Sequence, residues 1–306
     1  MSASIVITQM VILFILSFAG YLMTKLKMVD MTGSRQLSAI VSNITNPALI
    51  ISGAFTQDGT ITNHDILIVS IVSLVLFFIW FLVGKGLGYI LRVPKQDRDY
   101  YVLMTMFGNS GFIGLPIIIA LLGSQYAIYV AVYNLFFNLI IYTYGVYLLS
   151  KHGDGGKKSS WKSCINTGTI SAILTLIIFC CKIQVPTIVE ESIRYMGNAT
   201  TFLALFIVGI SLAQASLKEI FKDVRLYPFI LIRQLILPII VALVLKYILP
   251  DVNMRAVMVV LSAVPVGNLA FMLARARNQE AEVLSKGIIL TTICSIITIP
   301  IVCMFI

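Results

Sequence analysis

The segment Phe107-Gly-Asn-Ser-Gly-Phe-Ile-Gly-Leu-Pro116 contains three glycines, an asparagine and a proline, although apolar residues flank it on both sides. Glycine loosens a helix, and proline removes a backbone donor and clashes with the preceding turn. Unwound backbone at membrane depth is tolerated only where it is buried in protein or lines a cavity. If this segment crosses a bilayer, it therefore predicts a broken helix beside an internal site.

The composition of the whole chain is that of a membrane protein. Of its 306 residues, 59% are hydrophobic and 11% are charged, against roughly 45–50% and about 25% in a soluble domain. A bilayer is crossed by about 20 apolar residues per helix. The chain therefore has room for roughly ten spans with short connections, and a soluble globular protein is excluded.

Apolar runs separated by polar connections predict ten transmembrane helices. Their expected bounds are residues 5–24, 36–55, 65–91, 100–123, 126–149, 164–182, 194–213, 226–249, 255–274 and 284–305. The hydrophilic linker 150–163 divides the chain into a first unit, 1–149, and a second unit, 164–306. Because each unit has five spans, the second enters the membrane from the opposite side. If the two units share a fold, they form an inverted repeat.

The positions of Lys and Arg orient the chain, because basic residues near span ends stay in the cytoplasm. Sixteen of them flank one side of the predicted membrane. The other side has four, which are Lys182, Arg194, Lys246 and Arg255. This bias predicts a protein of the cell membrane with a cytoplasmic linker and both termini outside. It also accounts for the net charge of +9 without a nucleic-acid partner.

The ninth predicted span has a second interruption, Ser262-Ala-Val-Pro265-Val-Gly267-Asn268. At about 1.5 Å per residue, both interruptions lie roughly 15 Å deep. Broken helices at matching positions of two halves are typical of transporter binding sites, where half-helix N-termini suit an anion. The prolines are expected to keep the helices broken. The candidate substrate-binding residues here are Asn109, Ser110, Gly111, Pro116, Pro265, Gly267 and Asn268.

Other spans add further candidates, each with a structural alternative. Asn46 precedes Pro47 in span two and belongs either to the site or to a simple proline kink. Asn134 and Asn138 share one face of span five, where they bind substrate or bond a neighbouring helix. Arg233 lies about 10 Å inside span eight and either contacts a substrate carboxylate, snorkels, or makes an internal polar contact.

Three motifs together resemble the auxin efflux carrier family, particularly its short bacterial members described as malate or malonate permeases. They are Asn46-Pro47, Gly108-Asn109-x-Gly111-x-x-Gly114-x-Pro116 and Pro265-x-Gly-Asn268. In that family and the related bile-acid sodium symporters, spans four and nine cross as broken helices around the substrate. The resemblance implies an elevator mechanism: spans one, two, six and seven form a scaffold and often a homodimer interface, and spans three to five and eight to ten move. Similarity to the plant carriers favours substrate binding by span five.

The expected function is secondary transport of a small organic acid anion, either a malate- or malonate-like dicarboxylate or an auxin-like weak acid. All carboxylates fall in connections or at span ends, with Asp65 nearest to a span interior. The coupling ion, a proton or sodium, therefore stays open. The alternatives are a sodium-coupled carrier of amphipathic anions, a ligand sensor and a channel. No Ser/His, Cys/His or paired-carboxylate arrangement lies within the spans, so we expect neither an enzyme nor a cofactor or metal site.

Overall fold

The computed structural model describes residues 3–55, 61–151, 167–214, 223–275, 277, 279 and 281–306. Apart from one isolated bridge, the regular structure of these residues is helical. The α-helices are α1 Ala3–Lys25, α2 Met31–Ile40, α3 Asn46–Ser52, α4 Asn63–Ile90, α5 Arg98–Met106, α6 Leu115–Leu122, α7 Ala127–Ile140, α8 Val146–Ser150, α9 Thr167–Cys180, α10 Thr187–Gln214, α11 Leu226–Ile230, α12 Leu237–Ile248, α13 Val252–Ala263, α14 Asn268–Arg275 and α15 Glu282–Cys303. Most of the predicted linker lies outside the described residues.

Within the described residues, five helical segments are long and apolar enough to cross a membrane. They are Asn63–Ile90, Ser124–Ser150, Thr187–Gln214, Leu226–Ile248 and Glu282–Cys303. Shorter apolar helices cover Val11–Lys25, Ser110–Leu122, Thr167–Cys180 and Val252–Ala263. Large apolar side chains such as Leu67, Ile71 and Phe78 are exposed along α4, as expected of a surface that faces lipid. The prediction of an all-helical membrane protein is confirmed for the described residues, and the ten-span inverted repeat stays a prediction.

Three helices contain a widened, π-helical turn just before a proline. Proline has no N–H and its ring crowds the preceding turn, and a π turn accommodates the missing hydrogen bond by shifting the pairing. The three turns are Val41–Thr45 before Pro47, Ser110–Gly114 before Pro116, and Leu231–Ile236 before Pro238. A fourth π turn, Ile141–Gly145, connects α7 to α8. The prolines thus begin new α-helical segments within continuing helices.

Helices α1 and α10 touch through their backbones. A Cβ atom on Gly20 would lie 2.0 Å from the carbonyl oxygen of Phe206, and one on Gly209 would lie 1.7 Å from that of Ser17. At Gly197, α10 also lies close to the backbone of α3, with 2.9 Å between an added Cβ and the Cα of Leu49. Small residues at helix crossings allow this approach. Helices α1, α3 and α10 therefore form one tightly packed group.

Candidate functional site at the helix crossover

The two glycine- and proline-containing interruptions cross each other inside the protein. Helix α5 ends at Met106 and α13 ends at Ala263. After each of them, a short non-helical segment precedes the next helical turn. The crossing strands run antiparallel and pair at Gly108 and Val266. The Asn109 N–H donates to the Pro265 carbonyl oxygen at 2.7 Å, and the Gly267 N–H donates to the Phe107 carbonyl oxygen at 2.8 Å.

Glycine is required on both strands of this crossover. A Cβ atom on Gly267 would lie 2.9 Å from the Gly108 carbonyl oxygen and 3.2 Å from that of Phe107. A Cβ atom on Gly108 would lie 2.7 Å from a methyl carbon of Val264. The neighbours of Gly267 are backbone atoms held by the paired hydrogen bonds, so a side chain there would force the crossing apart, whereas a side chain on Gly108 would displace the side chain of Val264.

A cavity of about 320 Å³ lies against the crossover. Eight of the residues predicted from the sequence line it: Asn46, Asn109, Ser110, Gly111, Asn134, Asn138, Gly267 and Asn268. The other lining residues are Ser42, Asn43, Ile50, Gly108, Phe112, Phe137, Tyr142, Thr167, Gly168, Leu269 and Met272. The structure therefore brings side chains from distant parts of the chain to one polar cavity.

Local hydrogen bonds orient the amides in this cavity. The side-chain oxygen of Asn109 accepts from the Phe112 N–H at 3.1 Å, so the amide nitrogen of Asn109 points away from this N–H. The hydroxyl of Ser110 donates to the side-chain oxygen of Asn134 at 2.5 Å and so connects the crossover to α7. The buried side-chain oxygen of Asn46 has no hydrogen-bond partner within the described ranges. These amides offer both donors and acceptors to a bound solute.

Both interrupted helices resume with their N-termini at the cavity. The helical segment Ser110–Leu122 starts directly after Asn109, and α14 starts at Asn268. The N-terminus of a helix carries partial positive charge and unpaired N–H groups. The described lining residues include no Lys, Arg, Asp or Glu. The electrostatic character of the cavity is therefore set by amides, hydroxyls and two positive helix ends, which suits an anion.

Three predicted residues lie outside the lining. Pro265 is on the crossover, where its carbonyl accepts from Asn109, and Pro116 is buried in the first turn of α6. The interruption itself lies earlier, at residues 107–109, so Pro116 follows the break instead of forming it. Arg233 is 1% exposed and donates to two backbone carbonyls. Of the alternatives that the sequence left open for Arg233, the structure therefore shows the internal polar contact. Asp65 belongs to the N-terminal cap of α4.

The mouth of the cavity includes Thr167, which the sequence did not single out, beside Ser42 and Asn43 from the polar run in the second predicted span. The Thr167 hydroxyl donates to the Ser42 carbonyl oxygen at 3.0 Å and lies 3.2 Å from the side-chain oxygen of Asn43. All three residues are exposed. Thr167 is the first residue of α9 and follows residues 152–166, which include most of the predicted linker and lie outside the described residues. The cavity therefore opens at the end of the molecule where α9 begins. The polar run Ser42-Asn43 before Asn46 was the only signal in the sequence for this mouth.

Comparison with known proteins places the chain in a class of membrane carriers. The family model described as membrane transport protein matches residues 5–303. The chain therefore belongs to this family, which is the auxin efflux carrier family.

Two archaeal relatives are each described as an uncharacterized transporter. The protein from Methanocaldococcus jannaschii is 26% identical over 221 residues, which cover 68% of this chain and 69% of the relative. The protein from Methanothermobacter thermautotrophicus is 23% identical over 295 residues, which cover 94% of this chain and 93% of the relative. The similarity to transporters thus extends over nearly the whole chain.

Proposed function

We propose that this protein is a secondary transporter of a small organic acid anion and that the cavity at the crossover is its substrate site. The observation that carries the proposal is the arrangement of two helical N-termini and the amides of Asn46, Asn109, Asn134, Asn138 and Asn268 around one cavity. Membership of a membrane transport family supports the same conclusion. Asn109 and Asn268 are assigned to bind the carboxylate at the two helix starts.

The composition of the lining bears on the substrate class. A dicarboxylate such as malate or malonate would place one carboxylate at each helical N-terminus. An auxin-like weak acid would use a single carboxylate and lay its apolar body against Phe112, Phe137, Tyr142, Leu269 and Met272, which also line the cavity. Because two positive helix ends face the same space, the dicarboxylate is the first candidate and the weak acid is the second.

The proposed mechanism is alternating access by an elevator movement. Ten spans form two inverted five-helix units, with spans one, two, six and seven as the scaffold and a homodimer interface, and with the other spans as the moving unit. The close backbone contacts of α1, α3 and α10 suit a rigid scaffold. With the orientation proposed from the distribution of Lys and Arg, the termini lie outside the cell membrane and the cavity opens to the cytoplasm.

Transport by the purified protein in proteoliposomes tests this proposal. Radiolabelled malate is offered with a proton gradient and a sodium gradient imposed separately, and unlabelled malate or an auxin-like acid competes. We expect saturable uptake that is accelerated by unlabelled substrate on the other side, which a channel would not show. Asn109→Ala should abolish uptake, whereas Gly86→Ala in α4, where an added Cβ meets nothing within 4 Å, should retain it. Unchanged uptake by Asn109→Ala would contradict the assignment of the site.

A further inference from the structure

Arg233 lies between the C-terminal ends of the two interrupted helices, on the other side of the crossover from the helical N-termini. Its Nε donates to the Thr105 carbonyl oxygen at 2.9 Å, and its Nη1 donates to the Ser262 carbonyl oxygen at 2.6 Å. Thr105 is the penultimate residue of α5, and Ser262 is the penultimate residue of α13. One guanidinium group therefore binds the equivalent carbonyl of both interrupted helices.

These two carbonyls have lost their usual helical donors. In a continuous α-helix, Thr105 would accept from the N–H of Asn109, and Ser262 from that of Val266. In the crossover, the Asn109 N–H donates to Pro265 and the Val266 N–H donates to the Thr291 hydroxyl at 3.1 Å. The C-terminus of a helix also carries partial negative charge. Two such ends that meet in the protein interior attract a cation, and freed carbonyls at half-helix C-termini bind sodium ions in transporters.

The surroundings of Arg233 suit a permanent charge at this place. The guanidinium carbon lies 5.3 Å from the ring centroid of Trp80, within the range of a cation–π contact. Within the described ranges, no carboxylate forms an ion pair with Arg233. Because burying an uncompensated cation is costly, the two carbonyls, the two helix ends and the indole ring are the groups that stabilise it.

We propose that the Arg233 guanidinium is the built-in counter-cation of the crossover and occupies the position where a carrier of this geometry would bind a monovalent metal ion. The transporter therefore requires neither sodium nor potassium at this position. Arg233 acts as a positioning residue, since it holds the two helix ends together and does not line the cavity. Its charge lies directly behind the backbone of Gly108, because a Cβ on Gly108 would be 3.2 Å from Nη2. This charge adds to the positive potential of the anion site.

The test removes the guanidinium and asks whether a free cation can replace it. The chain has two tryptophans, so Trp161→Phe leaves Trp80 as a fluorescent reporter beside Arg233. Arg233→Ala, Arg233→Lys and Arg233→Met are prepared in this background. Arg255→Ala is the matched control, because Arg255 is also buried and also donates to two carbonyls, those of Leu249 and Ile306, away from the crossover. Unfolding temperature and Trp80 fluorescence are measured in detergent against choline, sodium, potassium and dilute guanidinium chloride at constant ionic strength.

In the wild type, we expect no saturable response of either readout to sodium or potassium. Arg233→Ala should unfold roughly 10 °C lower, and guanidinium or sodium should restore at least half of that loss with a saturable change in Trp80 fluorescence. The unfolding temperature of Arg233→Lys should lie between those of the wild type and Arg233→Ala. Arg255→Ala should lose stability, but its Trp80 fluorescence should not respond to cations. A saturable sodium response of the wild type would overturn the proposal. So would wild-type stability of Arg233→Met, or an Arg233→Ala protein that no cation stabilises.

The wild-type titration decides the question even where a variant does not fold. The inference rests on the proposed function in its statement about transport, but neither readout uses a substrate. Failure to transport any organic anion would refute the proposed function and leave the cation result unaffected. A sodium-responsive wild type that transports malate would refute only the inference about Arg233.

Discussion

Replacing Gly267 by alanine should push apart the two strands of the crossover. The new methyl group would lie 2.9 Å from the Gly108 carbonyl oxygen, 3.1 Å from its carbon and 3.2 Å from the Phe107 carbonyl oxygen. All three are backbone atoms, so no side chain can rotate away. Relief requires the strands to separate, which lengthens the hydrogen bonds that Asn109 and Gly267 donate across the crossover at 2.7 and 2.8 Å.

The magnitude follows from these two bonds. A buried backbone group left without a partner costs about 1–3 kcal/mol, so losing both bonds should lower the free energy of unfolding by roughly 2–6 kcal/mol. In a protein of this size, that corresponds to a fall in unfolding temperature of roughly 10 °C. Transport should fall in parallel, because Asn109 and Asn268 flank the displaced strands.

Thermal unfolding of the detergent-purified protein measures the effect, with Gly86→Ala as the control. Gly86 lies inside helix α4, where its surroundings are open, and alanine is favoured over glycine in helices by about 1 kcal/mol. Gly86→Ala should therefore unfold at or slightly above the wild-type temperature. If Gly267→Ala unfolded at the same temperature as Gly86→Ala and transported normally, the close backbone crossing would be refuted.

Three further predictions concern the cavity and the packing around it. Asn134→Asp keeps an acceptor for the Ser110 hydroxyl but adds negative charge, so KM for an anion in the proteoliposome assay should rise at least about tenfold; an unchanged KM would argue against an anionic substrate. Thr167→Cys, in a background without the five native cysteines, should react with a membrane-impermeant thiol reagent from the cytoplasmic side and be protected by substrate; reaction only from outside would reverse the proposed orientation. Gly209→Leu should prevent the backbone contact with Ser17 in α1. It should lower the unfolding temperature by more than 10 °C, roughly the effect of an overpacked interior site. A variant as stable as the wild type would show that α1 and α10 are further apart than described.

The sequence was sufficient for the membrane class, the approximate helix bounds and the positions of the two interruptions. The predicted fourth span corresponds to α5, the segment 107–114 and α6, and its interruption lies within the quoted run at residues 107–109. Eight of the eleven predicted site residues line one cavity. These features depend on properties of single residues and their near neighbours. Apolar side chains favour lipid, and Gly and Pro disturb a helix wherever they stand.

The role of Pro116 was decided by the backbone turn that precedes it, and the environment of Arg233 was decided by contacts between distant segments. Pro116 looks like a helix breaker in the sequence. However, the π turn Ser110–Gly114 shifts the hydrogen-bond pairing, so that the missing N–H of Pro116 is accommodated and α6 continues. In the sequence, Arg233 could be a substrate ligand, a snorkelling side chain or the donor of an internal polar contact, and the last alternative holds because its partners, Thr105 and Ser262, belong to other helices. The sequence by itself determined which segments form apolar helices and where they break, because those are local free energies. Only the tertiary structure decided which backbone groups pair where the two breaks cross and that a buried cation binds both helix ends, because hydrogen-bond partners are chosen by proximity in space.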